Sequence, residues 1–193
     1  MEIKRHVSPR EKFEFSIKGL QNQTMNVNRS FGDQLLKSKV LSSYVYKKSP
    51  KCIIEAQLSK DGKYQNFITG GWLEIFVKHN ILQILKHAKI TKYEIISNVD
   101  ITLPSGEKTE LDIVLHINQE IFWIECKTGG YQEYISKYNQ FIKNYNLNSQ
   151  NCFLVTVETE KENLRKLSGG SKMNVVSVLN FYEILENKIL SLV

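Results

Sequence analysis

Residues that would carry the chain out of a reducing compartment are scarce. There are three cysteines, Cys52, Cys126 and Cys152, an odd number without Cys-x-x-Cys spacing. Such a set fits neither a disulfide framework nor a zinc cage, so free buried thiols in a cytoplasmic protein are expected. No run approaches the ~18 continuous apolar residues of a transmembrane helix, and no membrane partner is expected. The opening Met1–His6 lacks the apolar stretch of a signal peptide. Histidine is too sparse for zinc: His79 and His87 stand eight apart, and His116, alone on its strand, is expected to be an ordinary buried histidine. None of the Gly-Gly pairs leads into Gly-Lys-Ser/Thr, which excludes a phosphate-cradling P-loop. Internal repeats and low-complexity tracts are absent. What remains is an ordinary globular composition, 41% hydrophobic and 24% charged, with a length of 193 residues suited to one domain or one domain and an appendage.

Acidic residues are short in the first third. Residues 1–66 hold 13 Lys/Arg against 6 Asp/Glu, and residues 67–193 hold 13 against 14. The whole net charge of +6 therefore belongs to the first segment. Charge alone leaves two readings open there, a surface for phosphate-rich partners or a plain solvated face. The boundary is expected at 66/67, with 1–66 a basic extension or small subdomain. Within it, Glu11–Ile17 reads as a short strand, Gln21–Ser30 as a polar loop, Phe31–Tyr46 as a helix, Cys52–Leu58 as a strand, and Asp61-Gly62 as a turn.

From Thr69-Gly70-Gly71 onward the pattern sharpens. Trp72–Ala88 repeats apolar residues at helical spacing (Leu73, Phe76, Val77, Ile81, Ile84, Leu85, Ala88). Glu74 falls in its first turn, where an acid also suits the helix dipole. Three strands follow, Tyr93–Leu103, Leu111–Ile117 and Ile121–Cys126. Then come a helix over Tyr131–Tyr145, a strand at Phe153–Val157, a helix over Glu160–Leu167, a strand at Val175–Leu179 and a helix over Phe181–Leu190. This order predicts an α/β class, three-layer α/β/α architecture around a mixed central sheet. The helix at 131–145 carries Tyr131, Tyr134, Tyr138 and Tyr145. Core packing is expected for most of them, with base stacking the other use of such rings.

The hairpin at 110–127 behaves badly as a buried element. With Asn118-Gln119 as a two-residue loop, Asp112 faces Glu125 and Glu110 faces Lys127. Two carboxylates side by side in an apolar setting are costly unless a cation joins them. Hard oxygen ligands of this kind suit Mg²⁺, which takes one or two carboxylates plus waters and substrate phosphate. Lys127 shares their face, two residues from Glu125.

Glu74, then Asp112, then Glu125-Cys126-Lys127 resembles the PD-(D/E)xK nuclease superfamily, the restriction-endonuclease-like fold. The wording Gly70-Gly71-Trp72-Leu73-Glu74, Glu110-Leu111-Asp112-Ile113-Val114 and Ile124-Glu125-Cys126-Lys127-Thr128-Gly129 is similar to the nuclease domains of CRISPR ancillary effectors switched on by cyclic oligoadenylate. Those proteins carry a separate sensor domain, for which 66 residues are short. The resemblance spans about residues 70–180. It implies an Mg²⁺- or Mn²⁺-dependent endonuclease acting on nucleic acid, DNA first, with single-stranded DNA or RNA as the nearest variant. By position it implies Asp112 and Glu125 as metal ligands, the Cys126 backbone carbonyl as another, Lys127 orienting water, and Glu74 as a further ligand or base. A homodimer is a hypothesis that follows, since single-site members of this fold often pair to cut two strands. The rival from another class is a non-catalytic nucleic-acid-binding or assembly module of a defence or repair complex.

Overall fold

Alternation of apolar and polar residues makes strands of Phe13–Ser16 (β1), Leu41–Lys47 (β2) and Ile53–Leu58 (β3) in a computed structural model that describes residues 12–48 and 50–192. Residues 1–11, with the opening of the basic segment and Glu11 of the expected first strand, lie outside the described residues. Two compact units divide the chain, Met1–Trp72 and Leu73–Val193.

In the first unit the three strands form an antiparallel sheet ordered β1-β3-β2. The helix α1 (Asn22–Lys37) buries Leu35 and Gly32, and a core of Phe13, Ile54, Ala56 and Leu58 joins Leu35. Gly32 is required there, because a Cβ would run into the Tyr44 ring. Three expectations fail in this unit. Gln21–Ser30 is not a loop but the first half of α1, with Met25 packed on the core. Tertiary packing overrides the weak helix propensity of an Asn-rich run. The expected helix over Phe31–Tyr46 stops at Lys37, Lys39 turns the chain at φ +64°, and Leu41 opens β2. Leu41, Tyr44 and Val45 fit both periods, and pairing with β3 decides for the strand. Asp61-Gly62 is a helix start instead of a free turn: Asp61 accepts from Lys63 N at 3.0 Å and caps α2 (Gly62–Asn66). Thr69-Gly70-Gly71 belongs to a π-helical turn, Phe67–Gly71, that follows it.

At the boundary begins α3 (Trp72–His87), which buries Leu73, Val77, Ile81, Ile84 and Leu85. Phe76, expected in that stripe, is exposed. A five-stranded sheet ordered β4-β5-β6-β7-β8 follows. Its strands are β4 (Tyr93–Thr102), β5 (Lys108–Ile117), β6 (Glu120–Lys127), β7 (Cys152–Thr156) and β8 (Asn174–Ser177). The first three form an antiparallel meander, and β7 and β8 join parallel to β6. Parallel neighbours need crossovers, supplied by α4 (Ile135–Asn144) and α5 (Lys161–Ser168). The chain enters α4 through a turn with Gly130 at φ +63° and closes with α6 (Phe181–Leu190).

Every residue of β7 is buried, as for a strand covered on both faces. Leu154 joins Trp123 in a cluster under Tyr138 and Ile142 of α4. Its neighbour Phe153 points the other way and meets Phe181 of α6 edge-on at 6.4 Å. On that side His87 of α3 bonds Glu186 of α6 at 2.6 Å. The expected mixed sheet with helices on both faces is what this unit adopts. Among the described residues no helix is long and apolar enough to cross a membrane.

Candidate active site

The β5–β6 hairpin turns at Asn118-Gln119, with Asn118 at φ +56°, and Ile117 pairs Glu120. That register puts Asp112 opposite Glu125, but the backbone ladder ends one rung earlier, at Ile113–Ile124. Beyond it β6 stays paired to β7 as far as Lys127–Thr156, and β5 stays with β4. The two strands part, and their side chains take over the missing rung. Asp112 Oδ2 accepts from Cys126 N at 2.7 Å, and Glu125 Oε1 accepts from Asp112 N at 3.3 Å.

Lys127 Nζ bridges the pair, 3.1 Å from Asp112 Oδ2 and 3.1 Å from Glu125 Oε2. Trp123 Nε1 donates to Glu125 Oε1 and Tyr138 Oη to Glu125 Oε2, both at 2.9 Å. Glu125 is thus held by four protein donors at 2% exposure, while Asp112 Oδ1 takes none from the described residues. The three charged groups line an open groove of about 350 Å³ with Tyr134, Lys137 and Tyr138.

The electrostatics follow from burial. Desolvation first, then the Asp112 charge, hold the Glu125 carboxyl above the usual range and outweigh the lowering by Lys127. Burial works to lower the Lys127 pKa, but the Glu125 and Asp112 carboxylates outweigh it and hold the ammonium well above the lysine range. In this structure Lys127 is a hydrogen-bond donor to both carboxylates. Burial, with the Glu125 charge second, likewise raises the Tyr138 phenol and keeps its proton. The two buried thiols are inert: burial raises Cys152 to about 11 and lifts Cys126 well above its ordinary value. Among the described residues all three cysteines are free, with Cys126 and Cys152 buried and Cys52 half-buried.

Of the residues singled out from sequence, Asp112, Glu125 and Lys127 come together, and Cys126 contributes its backbone N–H. Glu74, half-buried at the start of α3, stands at the margin. Burial first, opposed by an Asn98 hydrogen bond, leaves its pKa raised, and the Asp112 charge adds to the rise. Glu110 does not face Lys127. It pairs Asp100 across β4, and its carboxylate meets Asn98 Nδ2 at 3.2 Å. His116 is exposed, not buried, and lies opposite Glu94.

Three participants were missed. Trp123 lies two residues before Glu125, so strand periodicity already placed it on the same face. Asn98, in the mixed-polarity strand β4, sits at φ +54° and its amide ties Glu74 Oε2 (3.0 Å) to Glu110. Tyr138 had no signal beyond being one of the α4 tyrosines.

Two buried carboxylates with a free Asp112 oxygen fit a hard divalent cation completed by waters and phosphate. Among the described residues no group of three or more His, Cys, Asp or Glu forms a ready-made cage. The donor set is thus suited to an ion shared with a substrate, not to a structural metal.

No curated protein matches the sequence. Among solved structures, Can2 from Sulfobacillus thermosulfidooxidans, determined with cyclic tetra-adenylate, superposes with a TM-score of 0.58 at 18% identity, covering 98% of this chain and 48% of that one. VC1899 from Vibrio cholerae superposes with a TM-score of 0.59 at 16% identity, covering 99% of this chain and 49% of its own. At such identities the likeness bears on the fold, and this chain spans about half the length of either protein. The sequence profile of the Card1-like endonuclease domain matches residues 61–178, more than half of the chain and all of the site. The chain belongs to the Card1-like endonuclease domain family.

Proposed function

We propose that the chain is a divalent-cation-dependent endonuclease that hydrolyses phosphodiester bonds in DNA. The observation that carries this reading is the junction where β5 and β6 part. There, two buried carboxylates face each other with a lysine 3.1 Å from both. Asp112 and Glu125 are the ligands for Mg²⁺ or Mn²⁺, with the Cys126 carbonyl alongside. When bound, the cation supplies Lewis acidity at the phosphoryl oxygens and a water more acidic than bulk water.

The chain's own residues do the rest. Trp123 and Tyr138 fix the Glu125 carboxylate in one orientation. Lys127, held protonated, donates to the attacking water or to a phosphoryl oxygen, where its charge offsets charge developing in the transition state. Glu74 feels the charges of Asp112 and Lys127 and is held by Asn98, which positions it to assist proton transfer. The basic surface of residues 1–66 binds the nucleic-acid backbone. We place the protein in CRISPR-linked antiviral defence, because one solved structure of this shape holds cyclic tetra-adenylate. A homodimer would bring two such sites to two strands.

The test is cleavage of plasmid and single-stranded DNA with Mg²⁺, Mn²⁺ or EDTA, for the wild type, Asp112→Asn and Lys127→Met. Cation-dependent cutting that falls by about 10²-fold or more in both variants is expected. Cutting in EDTA, or variants as active as the wild type, refutes the assignment.

A further inference from the structure

Beside the carboxylate groove lies a second cavity, of about 460 Å³, walled by α4 and by the turn between β4 and β5. Its α4 side is made by Lys137, Gln140, Phe141 and Asn144, which fall on one helix face, and by Tyr145 at the helix end. Lys137 also lines the carboxylate groove, so the two adjoin at that side chain.

The chemistry of this cavity suits a nucleobase. Tyr131 and Tyr138 are buried, whereas Tyr145 is 39% exposed. The Tyr145 ring rests on Phe141 at 4.7 Å, and Phe141 rests on Trp123 at 4.8 Å. The core therefore fixes the orientation of an aromatic ring that solvent reaches. The Gln140 and Asn144 carboxamides, one turn apart, take no hydrogen-bond partner among the described residues. Each offers a donor and an acceptor, the pattern that reads base edges. Among the described residues Lys137 is held only by exposed Glu107, at 2.9 Å. A pair exposed in this way is weak, so exchanging Glu107 for a phosphate costs little. Tyr138, on the carboxylates, and Tyr145 are seven residues apart, about 10 Å by helical rise.

We infer that this cavity is a nucleobase subsite for a single-stranded stretch of the substrate. One base stacks on Tyr145 and meets Gln140 and Asn144 with its edge, while Lys137 takes a phosphate on the way to Asp112 and Glu125. Bases within a duplex are stacked on both faces and cannot be received there. The identity of the substrate rests on the nuclease reading, but the subsite is tested without cleavage.

The test is fluorescence anisotropy of a labelled mixed-sequence single strand and of its duplex, in the Asp112→Asn background with Mg²⁺. Adding Tyr145→Ala should weaken single-strand binding about 5- to 150-fold, the range for losing one stacking ring. Tyr145→Phe should restore it, the exposed pair Gln140→Ala with Asn144→Ala should also weaken it, and duplex binding should change little. Single-strand binding within twofold of the parent in both Tyr145→Ala and the amide pair overturns the inference, as does an equal loss for duplex. If binding behaves as expected but no cation supports cutting by the wild type, the subsite stands and the catalytic reading falls.

Discussion

Replacing Tyr138 with Phe removes one oxygen from the site and leaves its packing in place. The ring keeps its edge-on contact with Trp123 (5.4 Å) and its stacking on Tyr134 (6.1 Å). What is lost is the 2.9 Å hydrogen bond to Glu125 Oε2. A hydrogen bond to a charged group contributes about 1.5–3 kcal/mol. Oε2 keeps Lys127 and Oε1 keeps Trp123 and the Asp112 amide, so no acceptor is orphaned and the lower part of the range applies, about 1.5–2 kcal/mol. The loss also depends on pH. Burial, and then Asp112, raise the folded-state pKa of Glu125 above its unfolded value of about 4.3. The contribution of this group to stability is thus fully favourable below the unfolded pKa and declines as pH rises through the folded one. Tyr138 donates to the ionised form and limits that decline, and deleting the hydroxyl raises the folded pKa further. Urea unfolding in EDTA should therefore show the variant less stable at pH 7, with the gap closing towards about pH 4. A gap under about 0.5 kcal/mol at pH 7, or one of equal size in acid, would mean that Tyr138 does not serve the charged carboxylate.

Two further perturbations address the cation and the edge of the site. At about 100 times its dissociation constant, Mn²⁺ should stabilise the wild type by about 2.7 kcal/mol, which for a chain of this size is roughly 5–11 °C in Tm. Asp112→Asn should abolish that shift in differential scanning fluorimetry, and an unchanged shift would place the ion elsewhere. Asn98→Gly and Asn98→Ala separate backbone from amide, because Asn98 sits at φ +54°. Both should lower cleavage by freeing Glu74, but only the Ala variant should lose a further ~1–2 kcal/mol, the cost of a left-handed residue with a Cβ. Full activity in Asn98→Gly would show that Glu74 works without the amide.

The second unit was legible because its signals were local. A two-residue loop and period-two alternation sufficed to set the β5–β6 register, which brought Asp112 to Glu125. The same arithmetic failed for Glu110 and Lys127, since it assumed that the strands stay paired. In fact β6 continues with β7 and β5 with β4, so Glu110 follows β4 to Asn98. The roles of Tyr138 and Asn98 depend on contacts between elements distant in sequence, which periodicity does not encode. In the first unit the obstacle was ambiguity. Leu35 to Val45 satisfies a helical and a strand period at once, and the switch rests on Lys39 at positive φ, which its residue type does not announce.

The parting of β5 and β6 also decides how the site must be probed. Where the two strands part, the Cys126 and Asp112 amides take as their acceptors the carboxylates assigned to the cation. Asp112 and Glu125 therefore tie the two strands together in addition to the role proposed for them with the cation. An Asp112→Ala variant leaves the Cys126 amide buried without an acceptor, a loss of about 1–3 kcal/mol that has nothing to do with catalysis. Asp112→Asn keeps an oxygen for that amide and removes only the charge. An alanine scan across this hairpin would confound fold and function, and activity lost in Asp112→Ala is attributable to the metal only if Asp112→Asn, with its melting point within a few degrees of the wild type, loses it too.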